Sequence, residues 1–270
     1  MPEQWPEMEK PLSSIDEGDE GKERSEREPA KEPHTSVWRL LLDVVANPAR
    51  AFAVITRRQG TVWVLPALLI LLSLVVYILI AAPYTAELAQ KQLQTQLSTL
   101  PPEQAKMVSQ QAQRFTRPMF IVVSGSITGT VVQVLIWLLA SGILYFGILL
   151  SGADATYGGV WSITPWVFLP HAVRNLVLAL WTYTHKTLLQ YQGLSFLVAT
   201  GDLQADSRNP LLGVLQQIDL FNVWHVVLVY LALRHGLKLS RGGALGVTIV
   251  YILIMLGLSA VPAAVAGIFG

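Results

Sequence analysis

LLGVLQQIDLFNVWHVVLVYLALRH, residues 211–235, is the stretch on which the fold turns. Its apolar content is that of a membrane span, since about 20 such residues cross about 30 Å of hydrocarbon as a helix. Yet it carries Asp219, with Gln216, Gln217, Asn222 and His225 close by. A carboxylate at the centre of a membrane helix costs about 2.5–3.5 kcal/mol on insertion scales. It therefore needs a partner, an aqueous cavity or a shallow depth. At about 100° per residue, Gln216, Asp219 and Asn222 fall on one face within roughly 120°. That face must turn toward protein or water, which makes this an inner helix. A plainer placement also satisfies the carboxylate: Asp219 near the membrane surface, capping a helix.

The rest of the chain shares this character. Apolar residues make up 52% and charged residues 14%, where a soluble domain carries about 25% charged. Besides residues 212–233, long apolar segments cover about 62–82, 119–150, 160–181 and 244–269. The fold class expected is therefore all-α, a polytopic membrane protein with five transmembrane helices. There is no cysteine, which excludes disulfides, thiol catalysis and thiolate metal sites. The acidic start has no apolar signal-peptide core, so the first span is expected to act as the targeting signal.

Charge divides the chain in two. Residues 1–36 hold eleven acids and five bases and few apolar anchors, the composition of a disordered tail. Residues 37–58 are too interrupted by charge to span, and Asn47-Pro48 divides them. Asn47 is an N-cap and Pro48 suits the first helical position. An interfacial helix pair is expected here, with Arg39, Arg50, Arg57 and Arg58 near lipid phosphates. Between spans one and two, residues 83–118 are Gln-rich, and Pro101-Pro102 predicts a polar helical hairpin of Thr85–Ser98 and Glu103–Phe115. Gly125 and Gly129 form a small-residue pair in span two, suited to close helix packing within this chain or between copies. Pro165 and Pro170 should kink span three.

Orientation follows from Lys and Arg in short flanks. Arg39, Arg50, Arg57 and Arg58 precede span one, and Arg234, Lys238 and Arg241 lie between spans four and five. With five spans both flanks share a side, so residues 1–36 are placed in the cytosol and residue 270 outside. Arg174 in span three is the other formal charge within the spans. If span three leaves the membrane near Trp181 and span four enters near Leu212, Arg174 sits about 10–12 Å and Asp219 about 10 Å below the outer surface at 1.5 Å per residue. Pairing would lower the cost of both; the alternative is that each snorkels to the interface. The intramembrane polar site expected is Arg174, Asp219, Asn222 and Gln216.

Catalytic signatures are missing: no nucleophile elbow, HExxH pair, phosphate loop or dinucleotide fingerprint. Five histidines at 34, 171, 185, 225 and 235 show no metal-ligand spacing on a helix, and the basic residues are not arranged for nucleic acid. No enzyme activity, cofactor or metal is expected. NPARAFAVITRR before span one, with Asn47, Pro48 and Phe52, resembles the NP-x-x-AF-x-x-I entry of prokaryotic Yip-domain proteins. GLSFLVATG followed by the opening stretch resembles the closing pattern of that family, with Asp219, Phe221 and Trp224 in its D-x-F-x-x-W positions. The resemblance implies a five-helix membrane fold, N-terminus cytosolic. Eukaryotic members bind Rab-type small GTPases, act in vesicle traffic and carry a DLYGP-type motif. That motif is missing from residues 1–61, so GTPase binding is not carried over. The expectation is a non-catalytic scaffold or adaptor in the plasma membrane, partnered by lipid and by its own copies or another membrane protein. The alternative is a small permease using the polar groups of spans three and four.

Overall fold

The computed structural model describes Met1 and residues 36–58, 60–112 and 115–269. The expected disordered tail lies outside the described residues. Residues 37–270 form one compact unit, and its described residues contain helices and no strand. The protein is thus an all-α polytopic membrane protein, as the hydropathy predicts. Four helical stretches are long and apolar enough to cross a membrane: Thr61–Leu97, Pro118–Leu150, Tyr157–His185 and Arg241–Val265. A bent pair, Pro210–Gln216 with Leu220–Gly236, makes a fifth if counted as one span.

Two short helices come first, α1 (Val37–Ala46) and α2 (Pro48–Arg57). Asn47 separates them, and its side chain accepts from the Arg50 N–H at 3.3 Å, capping α2. Both helices pack into the bundle. Leu40 and Val44 of α1 and Ala51, Phe52 and Ile55 of α2 are fully buried in the core. Gly236 lies against α2, where an added Cβ would come within 3.1 Å of Thr56 Cγ2 and 3.3 Å of Phe52. Thr56 Oγ1 donates to the Gly236 carbonyl at 3.1 Å across this approach.

A 3₁₀ turn (Thr61–Trp63) leads into α3 (Val64–Leu97). At 1.5 Å per residue this helix is about 50 Å long, well beyond the hydrocarbon. The helix expected separately over Thr85–Ser98 is therefore the continuation of span one. Pro83 lacks an N–H and usually breaks a helix; here it lies inside α3, which runs on past it. Thr85 Oγ1 donates to the Ala81 carbonyl at 3.1 Å one turn away. Pro101-Pro102 makes the turn as predicted, and α4 (Pro102–Ala112) folds back as the second arm. Span two is one uninterrupted helix, α5 (Pro118–Leu150).

Span three is two helices, α6 (Tyr157–Val167) and α7 (Leu169–His185), broken at Phe168. Pro165 and Pro170 flank the break and each removes a backbone donor. The His171 N–H bonds the Phe168 carbonyl at 2.9 Å, leaving the Val167 carbonyl without its usual helical donor. After a 3₁₀ turn (Ser195–Leu197) and the short α8 (Leu203–Ser207) comes span four. It is not the continuous helix expected over 212–233. It divides into α9 (Pro210–Gln216) and α10 (Leu220–Leu231), bent by 68°. A π-turn (Ala232–Gly236) ends it, and α11 (Arg241–Phe269) is span five.

The chain ends its passes at two distinct faces. Gly243 approaches Ser151, α2 meets Gly236, and Trp63 packs edge-on to Trp161 at 5.6 Å. One end thus gathers residues 37–63, 151–161 and 234–243. It carries Arg39, Arg50, Arg57, Arg58, Arg234, Lys238 and Arg241 against only Asp43 and Asp154. The other end gathers the distal half of α3, α4 and residues 186–219. Side-chain hydrogen bonds tie neighbouring spans together within the core. Ser141 Oγ lies 2.8 Å from Thr164 Oγ1, and Asn175 Nδ2 donates to Ser73 Oγ at 3.2 Å.

Candidate functional site

Asp219 sits in the break of span four with extended backbone, φ −136° and ψ 172°. Its Oδ1 accepts from the Asn222 N–H at 2.7 Å, which caps α10. Its Oδ2 lies 3.0 Å from Arg174 Nε on α7. One oxygen thus caps a helix and the other pairs with Arg174, so the side chain fills both roles at once. The side chains of Arg174 and Asp219 are 15% and 13% exposed, so water screens the pair only weakly. Arg174 Nη2 also donates to Gln192 Oε1 at 2.8 Å.

Gln192 reaches this place because the chain before α9 folds under it. Gly193 has φ +58°, a left-handed conformation that L side chains rarely adopt. A Cβ there would come within 2.8–2.9 Å of the carbonyl oxygens of Gln216, Ile218 and Leu215. The Leu194 N–H donates to the Leu215 carbonyl at 3.0 Å. Span four can break at residues 217–219 because the Leu215 carbonyl at the end of α9 finds a donor in this neighbouring stretch of chain.

The inferred common face of Gln216, Asp219 and Asn222 does not exist as such. Gln216 is the last residue of α9, and the bend separates it from Asp219 and Asn222. Asn222 instead joins span three, its Oδ1 accepting from His171 Nε2 at 3.2 Å. Below it, His225 is buried and doubly bonded. Its Nδ1 is 2.7 Å from the Val167 carbonyl freed by the break in span three. A carbonyl only accepts, so Nδ1 carries the proton. In the neutral ring Nε2 is then the acceptor, and Tyr251 O–H of α11 donates to it at 2.8 Å. The break in span three thus frees a carbonyl that His225 of span four satisfies, while the break in span four is capped by its own Asp219, which Arg174 of span three holds.

The remaining predicted positions are structural in character. Phe52 is fully buried and Trp224 packs against the core, with Phe221 half-buried. Gly125 and Gly129 face span one: a Cβ would lie 3.4 Å from Ile78 Cγ2 and 3.2 Å from Leu74 Cδ2 respectively. Their contact is within the chain. Gln192, His171 and Tyr251 are absent from the sequence-level site. Nothing local marks them, since each is distant in sequence from its partner.

Outside the spans, Asp206 anchors the loop that precedes α9. Its Oδ1 accepts from Thr200 N–H at 2.9 Å and Thr200 Oγ1 at 2.8 Å. Its Oδ2 accepts from Tyr191 O–H at 2.7 Å and Gly201 N–H at 3.2 Å. These bonds, led by the Thr200 N–H and then Tyr191, hold the carboxyl below its ordinary value against the opposing effect of burial. The Tyr191 phenol is pushed up, chiefly by donating to Asp206.

Among the described residues no cluster of three His, Cys, Asp or Glu could hold a metal ion. Fold and site together define a helical multi-pass membrane protein with paired polar side chains at two span breaks. The Yip1 domain family matches the chain over residues 42–261, and the protein belongs to that family. No curated protein and no solved structure matches the chain.

Proposed function

We propose that this Yip1-family protein is a non-catalytic scaffold or adaptor of the plasma membrane, working through a second copy or another membrane protein. The observation that carries this reading is how Asp219 and His225 of span four are used. Both carboxylate oxygens of Asp219 are engaged, one by Arg174 and one by the backbone of α10. Both nitrogens of His225 are engaged, by Val167 and Tyr251. A carrier needs such groups to bind and release a solute; here they bond helices to each other. The excess of Lys and Arg at the end holding residues 37–63 supports a cytosolic placement of that end.

Water access separates this reading from a permease. The chain contains no cysteine, so Asn222→Cys and His225→Cys each supply one thiol. In sealed vesicles neither should react with a membrane-impermeant maleimide, while the protein co-purifies in fixed stoichiometry with a membrane partner or itself. Solute-protectable labelling at residue 222, together with solute flux into vesicles, would establish a carrier and overturn the scaffold reading.

A further inference from the structure

We propose that α1 is a lipid-binding helix, seated in the headgroup boundary of the leaflet at the basic end, with Arg39 and Arg50 selecting anionic phospholipid. The circumference of α1 divides into three sectors at about 100° per residue. Leu40 and Val44 lie about 40° apart and are buried in the protein core. Trp38, Leu42 and Val45 fall within roughly 60° on a different face and are 64%, 72% and 63% exposed. Arg39 and Asp43 occupy the third sector, about 40° apart. A helix lying in water needs one apolar face toward its protein. This one has a second apolar face that no described residue covers.

Three surroundings fit three sectors: protein, acyl chain and headgroup. Position along the bundle agrees. The same end carries Trp63 against Trp161 at 5.6 Å and Tyr145 against Tyr157 at 5.8 Å, and such aromatics collect where hydrocarbon meets headgroups. The α1 helix cannot drift from this level, because α2 follows it directly and is fixed to the bundle through Phe52, Ile55 and Thr56.

Charge selects among lipids. Arg39 and Arg50 are exposed on the two helices flanking Asn47, and no ion pair engages them among the described residues. Asp43 is the acid of α1 and works against them. Basic side chains near an anionic leaflet each change binding by about fivefold. A zwitterionic surface offers no such gain. The occupant is therefore an anionic phospholipid, its acyl chains under Trp38, Leu42 and Val45 and its phosphate beside the arginines. This inference rests on the multi-pass membrane fold and stands apart from whether the protein acts as a scaffold.

The test uses the full chain in nanodiscs, with a polarity-sensitive fluorophore on Leu42→Cys or Asp43→Cys in this cysteine-free sequence. The expected result is that the probe at residue 42 is blue-shifted and quenched by spin-labelled acyl chains, while at residue 43 it is quenched by iodide. Native mass spectrometry of unlabelled protein from nanodiscs of mixed phosphatidylglycerol and phosphatidylcholine then reads headgroup choice. Retained phosphatidylglycerol should fall about fivefold in each of Arg39→Gln and Arg50→Gln, and rise in Asp43→Asn. Iodide quenching at residue 42 equal to that at residue 43 would overturn the seating. So would excimer formation between pyrene-labelled Leu42→Cys copies, which would make a second copy the occupant. Unchanged phosphatidylglycerol retention in both arginine variants, with folding confirmed by thermal melts, would overturn the headgroup assignment.

Discussion

Removing the Asp219 carboxylate alone should destabilise the protein more than removing it together with Arg174. In Asp219→Ala the guanidinium stays at the same depth, with Gln192 as its remaining bond at 2.8 Å. Breaking a buried ion pair from one side costs about 3–5 kcal/mol. The exposures of 15% and 13% leave little water to compensate, but Gln192 does, so about 3 kcal/mol is expected. Loss of the α10 cap adds about 1 kcal/mol. That loss is common to Asp219→Ala and to the double variant, so it cancels in their comparison. The double variant lacks the stranded cation and should be about 1–2 kcal/mol more stable than Asp219→Ala, within the usual range of coupling between contacting residues. Asp219→Asn separates the two roles of the side chain, because its amide oxygen can still cap while carrying no charge. Reversible unfolding in mixed micelles, titrated with sodium dodecyl sulfate and followed by tryptophan emission, measures the wild type, Asp219→Ala, Arg174→Ala, the double variant and Asp219→Asn. Additivity to within about 0.5 kcal/mol would refute the reasoning, since independent side chains give that result and a buried pair does not.

Three further outcomes follow from the geometry. The lowered Asp206 carboxyl stabilises the loop above its unfolded value of 3.8, and that contribution is lost as pH falls through the still lower folded value. Protection of the Thr200 amide from hydrogen exchange, relative to its intrinsic rate at each pH, should therefore be high above pH 4 and fall below it, whereas Asp206→Asn should lower it at every pH. Gly193→Ala should disorder the junction before α9 and cost at least about 2 kcal/mol, since it combines left-handed backbone strain with three carbonyl contacts under 3 Å; an unchanged melting curve would contradict this. In sealed vesicles of defined orientation, Asp154→Cys and Ser98→Cys should label from opposite sides, with residue 154 on the cytosolic side; labelling from one side would overturn the topology.

Hydropathy alone reads most of this fold. Spans one, two, three and five are long uncharged or nearly uncharged runs, and Asn47-Pro48 and Pro101-Pro102 mark turns by their backbone chemistry. What it cannot read is where a helix ends without a proline or glycine to end it. QQID at 216–219 looks continuous because each residue there tolerates a helix. The break is stabilised from outside, by the chain around Gly193 and by Arg174 through Asp219. Likewise Pro83 looks like a boundary, yet α3 passes through it. Opposite charge is reason enough to bring Arg174 toward Asp219, and they lie 3.0 Å apart. The straight-helix depths behind that expectation do not hold, because Asp219 starts a helix instead of lying within one. His225 with Tyr251 and Arg174 with Gln192 leave no trace in local sequence, since each pair is made by packing.

The place of Gln192 between the members of the ion pair bears on how the protein is made. Arg174 leaves the ribosome before Asp219, so span three must enter the bilayer while its cation has no carboxylate. Gln192 emerges in the interval, but the turn at Gly193 that carries it to the guanidinium packs on the carbonyls of Leu215, Gln216 and Ile218. The amide and the carboxylate are therefore delivered to Arg174 together, by the same segment of chain. A chain truncated before residue 215 would leave the arginine of span three without either partner.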